Sequence, residues 1–413
     1  VLSVAEALER ILARVSVLGR ESVPLAAALG RVLAEPVVAA REVPPWDNSS
    51  MDGYAVRAAD TRPAGAGRPV MLTVVGEVAA GTVASRELAP GQAYRILTGA
   101  PLPRGSDAVV PQEDVRRDDH HVALEKSVEP GAYVRPHGED IRSGDRLLEP
   151  GLVLRPAALG VLAALGRAHV DVYQRPTVAV LSTGDELVAP EAPLGPGQIP
   201  DSNTYTLCGL VAEAGAVPVS LGIAQDRREQ IIERLRQGLR ADVIVSSAGV
   251  SVGDRDLVRD AAEALGARLD FWRVNMRPGK PLTFGRVASD GAERLFFGLP
   301  GNPVSSMVTF ELFVRPALRR MGGHQVLERP QVTARALAPI DNPGSRPGYL
   351  RVRLEATPGG LGARPTGEQG SGILRSMLLA DGLAVLPGDT RVPMGGEVDV
   401  ILLLSDLALS AQR

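Results

Sequence analysis

Several short segments of the chain carry residue types that could bind or move a charged group. Ser182-Thr183-Gly184-Asp185-Glu186 follows the unbroken apolar run Val178-Ala179-Val180-Leu181 and offers hydroxyls, a glycine and adjacent carboxylates. A glycine lets backbone come close to a ligand, and successive N–H groups around it can cradle an anion. Ser246-Ser247-Ala248-Gly249-Val250-Ser251-Val252-Gly253-Asp254-Arg255-Asp256 joins serines and glycines to the start of a helix, a combination suited to phosphate. Its Asp254 and Asp256 could bring a hard cation to that phosphate. The segment is neither a Walker loop nor a dinucleotide fingerprint, because GxxxxGK and GxGxxG are both absent. Pro300-Gly301-Asn302-Pro303 locks a turn between prolines, and Pro303 suits the first position of a helix. Pro278-Gly279-Lys280-Pro281 is a further candidate. Lys280 is one of only two lysines beside 43 arginines, so a compact ammonium is the reading for that turn. Each segment also has a plainer explanation: a strand-to-helix loop, a cap, or a turn that only shapes the backbone. Asp226, in Asp226-Arg227-Arg228-Glu229, has capping-box spacing and reads first as an N-cap, although it sits at a strand end.

Other chemistries lack their residues. The histidines, at 120, 121, 137, 169 and 324, fall outside the α/β segment and lack zinc-ligand spacing. No G-x-S-x-G elbow accompanies a matching histidine. Cys208 is the lone cysteine, which excludes an intramolecular disulfide and a cysteine metal cage. The formal net charge of −3 and the lack of a basic stripe argue against nucleic acid. No long uncharged apolar stretch or secretory pattern is present, so the expectation is a cytoplasmic protein without a membrane span. What remains is anion binding with Mg²⁺ and carboxylates in support, the equipment of a nucleotide-linked transfer.

The elements that must position these residues are legible in outline. A chain of 413 residues exceeds one ordinary core. Helices are expected over residues 3–19 and 25–33. From 46 to 137, short β-like runs at 70–75, 93–96, 108–110 and 122–124 predict a separate β-rich domain inserted into a helical one. The helical domain then spans residues 1–45 and 138–173 and is discontinuous. From 174 to 321, apolar strands at 178–182, 217–223, 242–247 and 295–299 alternate with helices at 203–214, after 226, at 255–265 and up to Met321. That order predicts a mainly parallel, doubly wound α/β domain. Short strands from 322 to 413 predict a small C-terminal β domain. In an open parallel sheet, ligands bind beyond the carboxyl ends of the strands, where three of the loops above lie.

Many ordered motifs match one family. They include Ser50-Met51-Asp52-Gly53-Tyr54-Ala55, Ile96-Leu97-Thr98-Gly99-Ala100-Pro101, Gly138-Glu139-Asp140-Ile141, STGDEL from Ser182, QIPDSN from Gln198, GVSVG from Gly249, PGKP from Pro278 and GLPGNP from Gly298. The chain closely resembles the bacterial molybdopterin molybdenumtransferases, and the C-terminal region of the animal scaffold gephyrin is similar. The resemblance covers essentially the whole chain. It implies a four-part homodimer with a C-terminal β-barrel-like domain and a cleft shared between subunits. It also implies Mg²⁺ as cofactor, adenylylated molybdopterin and molybdate as substrates, and molybdenum cofactor and AMP as products. Contacts with the molybdopterin adenylyltransferase and with apo-molybdoenzymes follow from such a role.

Carried over by position, Asp52, Thr98, Glu186, Asp226, Asp256 and Lys280 match residues of the reaction. Asp140, Glu186, Asp226 and Asp256 match acidic positions suited to the metal. Ser182, Thr183, Gly184, Asp185, Gly249, Ser251, Gly253, Arg277, Pro300, Pro303 and Ser371 would hold the substrate. Ala248 stands where the family often has a second glycine, and Arg277 where lysine is common. Two other readings share the α/β module: the adenylyltransferase, which resembles that module alone, and a gephyrin-like non-catalytic scaffold. The inserted β domain and C-terminal part argue against the first. The full acidic set with Lys280 argues against the second.

Overall fold

A computed structural model describes residues 1–118, 120–248 and 257–403. The sequence begins with a helix, α1 (Val4–Leu12), whose Ser3 hydroxyl accepts the Glu6 amide while the Glu6 carboxylate accepts the Ser3 amide. This capping box satisfies donors that the first turn leaves free. The helix is shorter than the residues 3–19 expected, because the chain turns to dock the Leu18 N–H on the Met321 carbonyl at 2.8 Å. Its apolar face, Ala7 and Ile11, joins the core of the α/β domain.

Residues 20–39 and 141–172 share a different core, including Leu33, Val37, Leu154, Leu162 and Val172. Strand Arg20–Pro24 pairs antiparallel with His169–Tyr173, and helix α2 (Pro156–Ala164) packs beside them. The helix expected over residues 25–33 is a single 3₁₀ turn, Leu25–Ala27. Gly30 takes a φ of +74°, and Val32 and Leu33 enter β-bridges, so the backbone leaves helical geometry there. Between the two halves lies a six-stranded sheet built from Gly53–Val56, Val70–Val78, Gln92–Ile96, Ala108–Pro111, Val115–Arg117 and His121–Leu124.

The α/β domain holds β1 (Thr177–Thr183), β2 (Val217–Ala224), β3 (Val243–Ser247), β4 (Arg268–Arg273), β5 (Pro281–Ser289) and β6 (Ala292–Leu299) in the order β2-β1-β3-β6-β5-β4. The pairings β2-β1, β1-β3 and β3-β6 are parallel, and β6-β5 and β5-β4 are antiparallel. The antiparallel edge had not been anticipated. The strand period of two explains why the central strands read as unbroken apolar runs. Val178, Val180, Val243, Val245 and Phe297 face one core, whereas Ala179, Leu181, Ile244 and Phe296 face the other. Helices α3 (Asn203–Glu213) and α6 (Pro303–Thr309) cover the first face, and α4 (Arg228–Gly238) with α5 (Leu257–Ala264) cover the second. A π-helical turn, Phe310–Val314, joins α6 to α7 (Arg315–Met321). Among the described residues no helix is long and apolar enough to cross a membrane.

The C-terminal part is a closed five-stranded barrel of Gln331–Ala336, Gly348–Thr357, Gly360–Pro365, Gly382–Leu386 and Glu397–Leu402. A buried ion network fastens it to the α/β domain. Arg329, just before the first barrel strand, donates Nε to Glu311 Oε2 and Nη2 to Glu311 Oε1, both at 2.9 Å. The same Nη2 reaches Glu213 Oε1 at 2.6 Å. Breaking one side of such a pair strands a charge away from water. Arg329→Ala is therefore expected to cost about 3–5 kcal/mol in urea unfolding. The single change Glu311→Gln strands both Arg329 and Arg315, whose Nε lies 3.7 Å from Glu311 Oε2, so the double change Glu311→Gln with Arg329→Met should cost less than that single one. Equal costs for the single and double changes would show that the ion network is not the fastening.

Candidate functional site

The carboxyl ends of β1, β3 and β6 open onto a cleft of about 610 Å³. Glu186, the 199–203 segment and the Pro300–Pro303 turn line it, with Pro281 and Gly372 at the margin next to Lys280 and Ser371. The walls come from both the α/β domain and the barrel. The 276–281 segment is docked to the barrel by three backbone-directed bonds: Arg346 Nη1 to Met276 O at 3.0 Å, Arg277 N to Pro347 O at 2.8 Å and Tyr349 N to Arg277 O at 2.8 Å. The Arg277–Pro278 peptide is cis. Gly279 has a φ of +104°, and a Cβ there would lie 2.5 Å from Thr309 Cγ2, so only glycine fits this turn.

On one side of the cleft the structure gathers carboxylates. The Asp226 amide donates to Asp185 Oδ1 at 3.1 Å. The Glu186 carboxylate folds over Gly184, whose φ is +151°, so closely that a Cβ on that glycine would sit 2.5 Å from Glu186 Oε2. Partial burial, then the charges of Asp185 and Glu186, raise the Asp226 carboxyl above the ordinary aspartate range. Asp226 is not the cap expected of it. The residue before α4 is Arg227, and no side chain caps that helix.

Where the 276–281 segment meets the barrel lie cations without acids. Among the described residues, neither Lys280, Arg277 nor Arg351 pairs with a carboxylate. Arg351 is completely buried; it donates Nε to Ser376 Oγ and Nη2 to Gly370 O, both at 3.1 Å, and leaves Nη1 without a partner. Burial, then the neighbouring Arg277 charge, lowers its guanidinium to about 10. Arg351 was not among the residues singled out from sequence. Its signal was an arginine in the middle of the otherwise uncharged and buried run Gly348-Tyr349-Leu350-Arg351-Val352.

Two expected ligand residues turn out to be internal. Ser182 is fully buried and donates to Asp201 Oδ1 at 3.1 Å, with Thr204 Oγ1 2.9 Å away. Asp201, itself buried, also accepts the Thr204 amide at 3.1 Å and the Thr204 hydroxyl, which ties the 198–203 segment to the end of β1. Thr183 is likewise sealed, its hydroxyl unpartnered. The Ser182 side chain therefore holds the loop from beneath, Thr183 and Gly184 are buried beside it, and Asp185 and Glu186 are exposed. Pro300 and Pro303 border the cleft, and the Ser371 hydroxyl accepts Asn302 Nδ2 at 2.9 Å.

Asp52 and Thr98 pair with each other in the inserted sheet. The Thr98 amide and hydroxyl both donate to Asp52 Oδ1 at 2.7 Å, and these bonds hold the carboxyl below its usual range. Asp140 is exposed, with its amide on Val43 O at 3.0 Å. Among the described residues no hydrogen bond or ion pair links Asp52, Thr98 or Asp140 to the cleft carboxylates. Gly249, Ser251, Gly253 and Asp256 lie outside the described residues. Ala248, just before them, adopts a φ of +72°, the left-handed geometry that glycine would meet without a Cβ penalty.

Comparison with known proteins gives a consistent picture. Family models match residues 2–166 as "MoeA N-terminal region (domain I and II)", 179–320 as "Probable molybdopterin binding domain" and 333–403 as "MoeA C-terminal region (domain IV)". A molybdopterin molybdenumtransferase of Nostoc sp. is 42% identical over 387 residues, 93% of this chain and 88% of that protein. One from Bacillus subtilis is 35% identical over 394 residues, 94% of this chain and 90% of that protein. A solved molybdopterin biosynthesis MoeA protein from Pyrococcus horikoshii superposes with a TM-score of 0.84 at 35% identity, covering 98% of this chain and 100% of that one.

The clustered carboxylates make a prediction about stability. A carboxyl whose folded pKa is raised favours the folded state at pH values where it is protonated, and that contribution is lost as pH rises through the folded pKa. Asp226→Asn is therefore expected to keep or raise the thermal midpoint at neutral pH. The difference from the parent should shrink below about pH 4, where the carboxyl is protonated in both states. Thermal unfolding across pH checks this, and a midpoint lowered at neutral pH would contradict it.

Proposed function

The chain belongs to the molybdopterin molybdenumtransferase family, and from that premise we propose that it inserts molybdate into adenylylated molybdopterin, releasing molybdenum cofactor and AMP. The observation that carries the reading is a division of charge around the cleft: Glu186 lines it beside Asp185 and Asp226, and the turn that brings Pro281 to it carries Lys280 and Arg277, with the buried Arg351 near Arg277 and none of the three paired with an acid. Uncompensated charge in a protein is costly unless a ligand completes it. A doubly charged oxyanion answers the cationic side. Arg351, with a free Nη1 in a buried setting, can hold an oxyanion by a charge-assisted hydrogen bond stronger than one made in water. Lys280 supplies a compact point charge on a rigid turn, and Arg277 adds to the same positive field.

The carboxylates fit a hard divalent cation shared with substrate phosphate. Among the described residues no three side chains form a ready-made metal cage. Mg²⁺ is commonly held by one or two carboxylates together with phosphate oxygens. Glu186 and Asp226 would hold it, with Asp140 and Asp256 as further acidic positions. The ion when bound would polarise the adenylyl phosphate. The surface of the Gly184–Glu186 loop and the segment carrying Gly249, Ser251 and Gly253 would receive the phosphates through backbone N–H groups. Pro300 and Pro303 would keep the turn at the cleft rigid, and Ser371 would offer a hydroxyl from the barrel side. Asp52, Thr98 and Asp140 fit a homodimer in which these residues complete the cleft of a second copy. The adenylyltransferase would deliver the substrate, and apo-molybdoenzymes would receive the product.

The test is AMP release from adenylylated molybdopterin with and without molybdate and Mg²⁺, in the parent and in Glu186→Ala. The expected result is release that needs both ions and falls on the order of a hundredfold in the variant, the scale of losing a positioned electrostatic group. Tight substrate binding without turnover would replace the reading with a scaffold. Adenylylation of free molybdopterin from ATP would replace it with the adenylyltransferase.

A further inference from the structure

Two asparagines of the cleft have side chains committed to bonds that neither helix they adjoin requires. Asn203 occupies the first position of α3, yet both its amide hydrogens leave the helix. Nδ2 donates to Ser247 Oγ at 2.6 Å and to Gly301 O at 2.7 Å. Asn302 stands at the N-cap of α6, where asparagine ordinarily bonds the first-turn amides. Here it makes no capping bond and gives Nδ2 to Ser371 Oγ at 2.9 Å. The Ser371 carbonyl accepts the Val304 amide at 3.1 Å, so the contact with the barrel is made twice.

We propose that Asn203 and Asn302 are positioning residues that clamp the Gly301–Asn302 turn from opposite sides, Asn203 onto the end of β3 and Asn302 onto the barrel loop at Ser371. The geometry favours a role in alignment over one in general stability. Strands β3 and β6 are hydrogen-bonded neighbours up to Ser247 and Leu299, but beyond that point their chains diverge into separate loops. The Ala248 amide on Leu299 O at 3.2 Å is the last backbone bond between them among the described residues. Asn203 extends the link beyond the ladder by tying Gly301 back to Ser247, the last paired residue of β3. Gly301 itself has little room, because a Cβ there would meet the Ala248 Cβ at 3.1 Å. On the far side, the chain continues from Ser371 to Gly370, whose carbonyl accepts Arg351 Nη2. One set of contacts thus runs from the strand end that leads into the phosphate-type loop, across the turn, to the buried arginine. Two amide side chains fix the turn at the cleft between the end of β3 and the barrel. The orientation of the Asn203 amide follows from its partners, since a carbonyl oxygen can only accept.

This inference rests on the transferase reading for its kinetic arm. The experiment compares the full-length parent with Asn203→Ala, Asn302→Ala, Ser247→Ala and the pair Asn203→Ala with Ser247→Ala. Molybdate-dependent AMP release gives kcat and KM, thermal unfolding gives the folded fraction, and backbone hydrogen exchange is followed at residues 247, 248, 301, 302 and 304. Asn203→Ala is expected to lower kcat on the order of tenfold or more with KM changed less than about twofold, the signature of misaligned but still bound reactants. Ser247→Ala should do less alone and add little to Asn203→Ala, because both break the same contact. Asn302→Ala should raise the KM for molybdate, since it frees the Ser371 side. Exchange at the named amides should quicken without a matching loss of folded protein. Unchanged kinetics and exchange would overturn the clamp, as would a kcat loss that only tracks unfolding. If the parent itself releases no AMP, the transferase reading falls, and the exchange arm alone decides the clamp: faster exchange supports it and unchanged exchange overturns it.

Discussion

Charge that the protein leaves unanswered is the constraint on which the cleft depends. Three carboxylates press on one another around Asp226, and the fully buried Arg351 has neither an acid nor a partner for one of its nitrogens. Neither arrangement would persist in an ordinary loop. Exposed side chains would swing apart, and a buried guanidinium would draw in a carboxylate or water. Both persist because the backbone beneath them is fixed. Gly184 lets Glu186 fold back over the loop, the Asp185 carboxylate is tied to the Asp226 amide, and Arg351 is seated in the wall of a closed barrel.

That rigidity comes from the layers below. The central strands bury both faces, so their polar residues are forced to the strand ends, and the loops there become the only places where chemistry can be displayed. Ser182, Thr183, Ser246 and Ser247 are polar residues at the last buried step, and two of them hold neighbouring loops by hydrogen bonds. The same logic governs the union of domains. The barrel side contributes Gly372 to the cleft and Ser371 to the turn at its edge, and it can do so only if its placement is firm. Arg329, Glu311 and Glu213 provide one fastening, and the bonds around residues 276–277 provide another.

Much of the fold was legible in the chain because its period was legible. Unbroken apolar runs announced strands buried on both sides, and glycine- and proline-rich punctuation announced the inserted sheet and the barrel. Other features were hidden for local reasons. The apolar pattern of residues 25–33 is compatible with a helix, but the chain there forms bridges to Val153 and Val172 instead. Capping-box spacing after Asp226 misled because that carboxylate's surroundings, not its offset from Glu229, decide what it does. Strands β4 and β5 went unnoticed because their antiparallel edge mixes charged and apolar residues without a clean alternation.

By itself the sequence determined the material: which segments could be strands, which loops carried glycines and acids, and the presence of a lysine where this chain otherwise uses arginine. Periodicity and motif order are properties of neighbours along the chain, and they survive in any conformation. The tertiary structure alone decided which of those residues face one another. It turned Ser182 and Thr183 inward, drew Asp226 to Asp185, brought Arg351 of a barrel strand near Arg277 of another domain, and set two asparagines on either side of one turn. Burial, electrostatic proximity and contacts between segments more than a hundred residues apart depend on distance in space, and sequence separation carries no record of that distance.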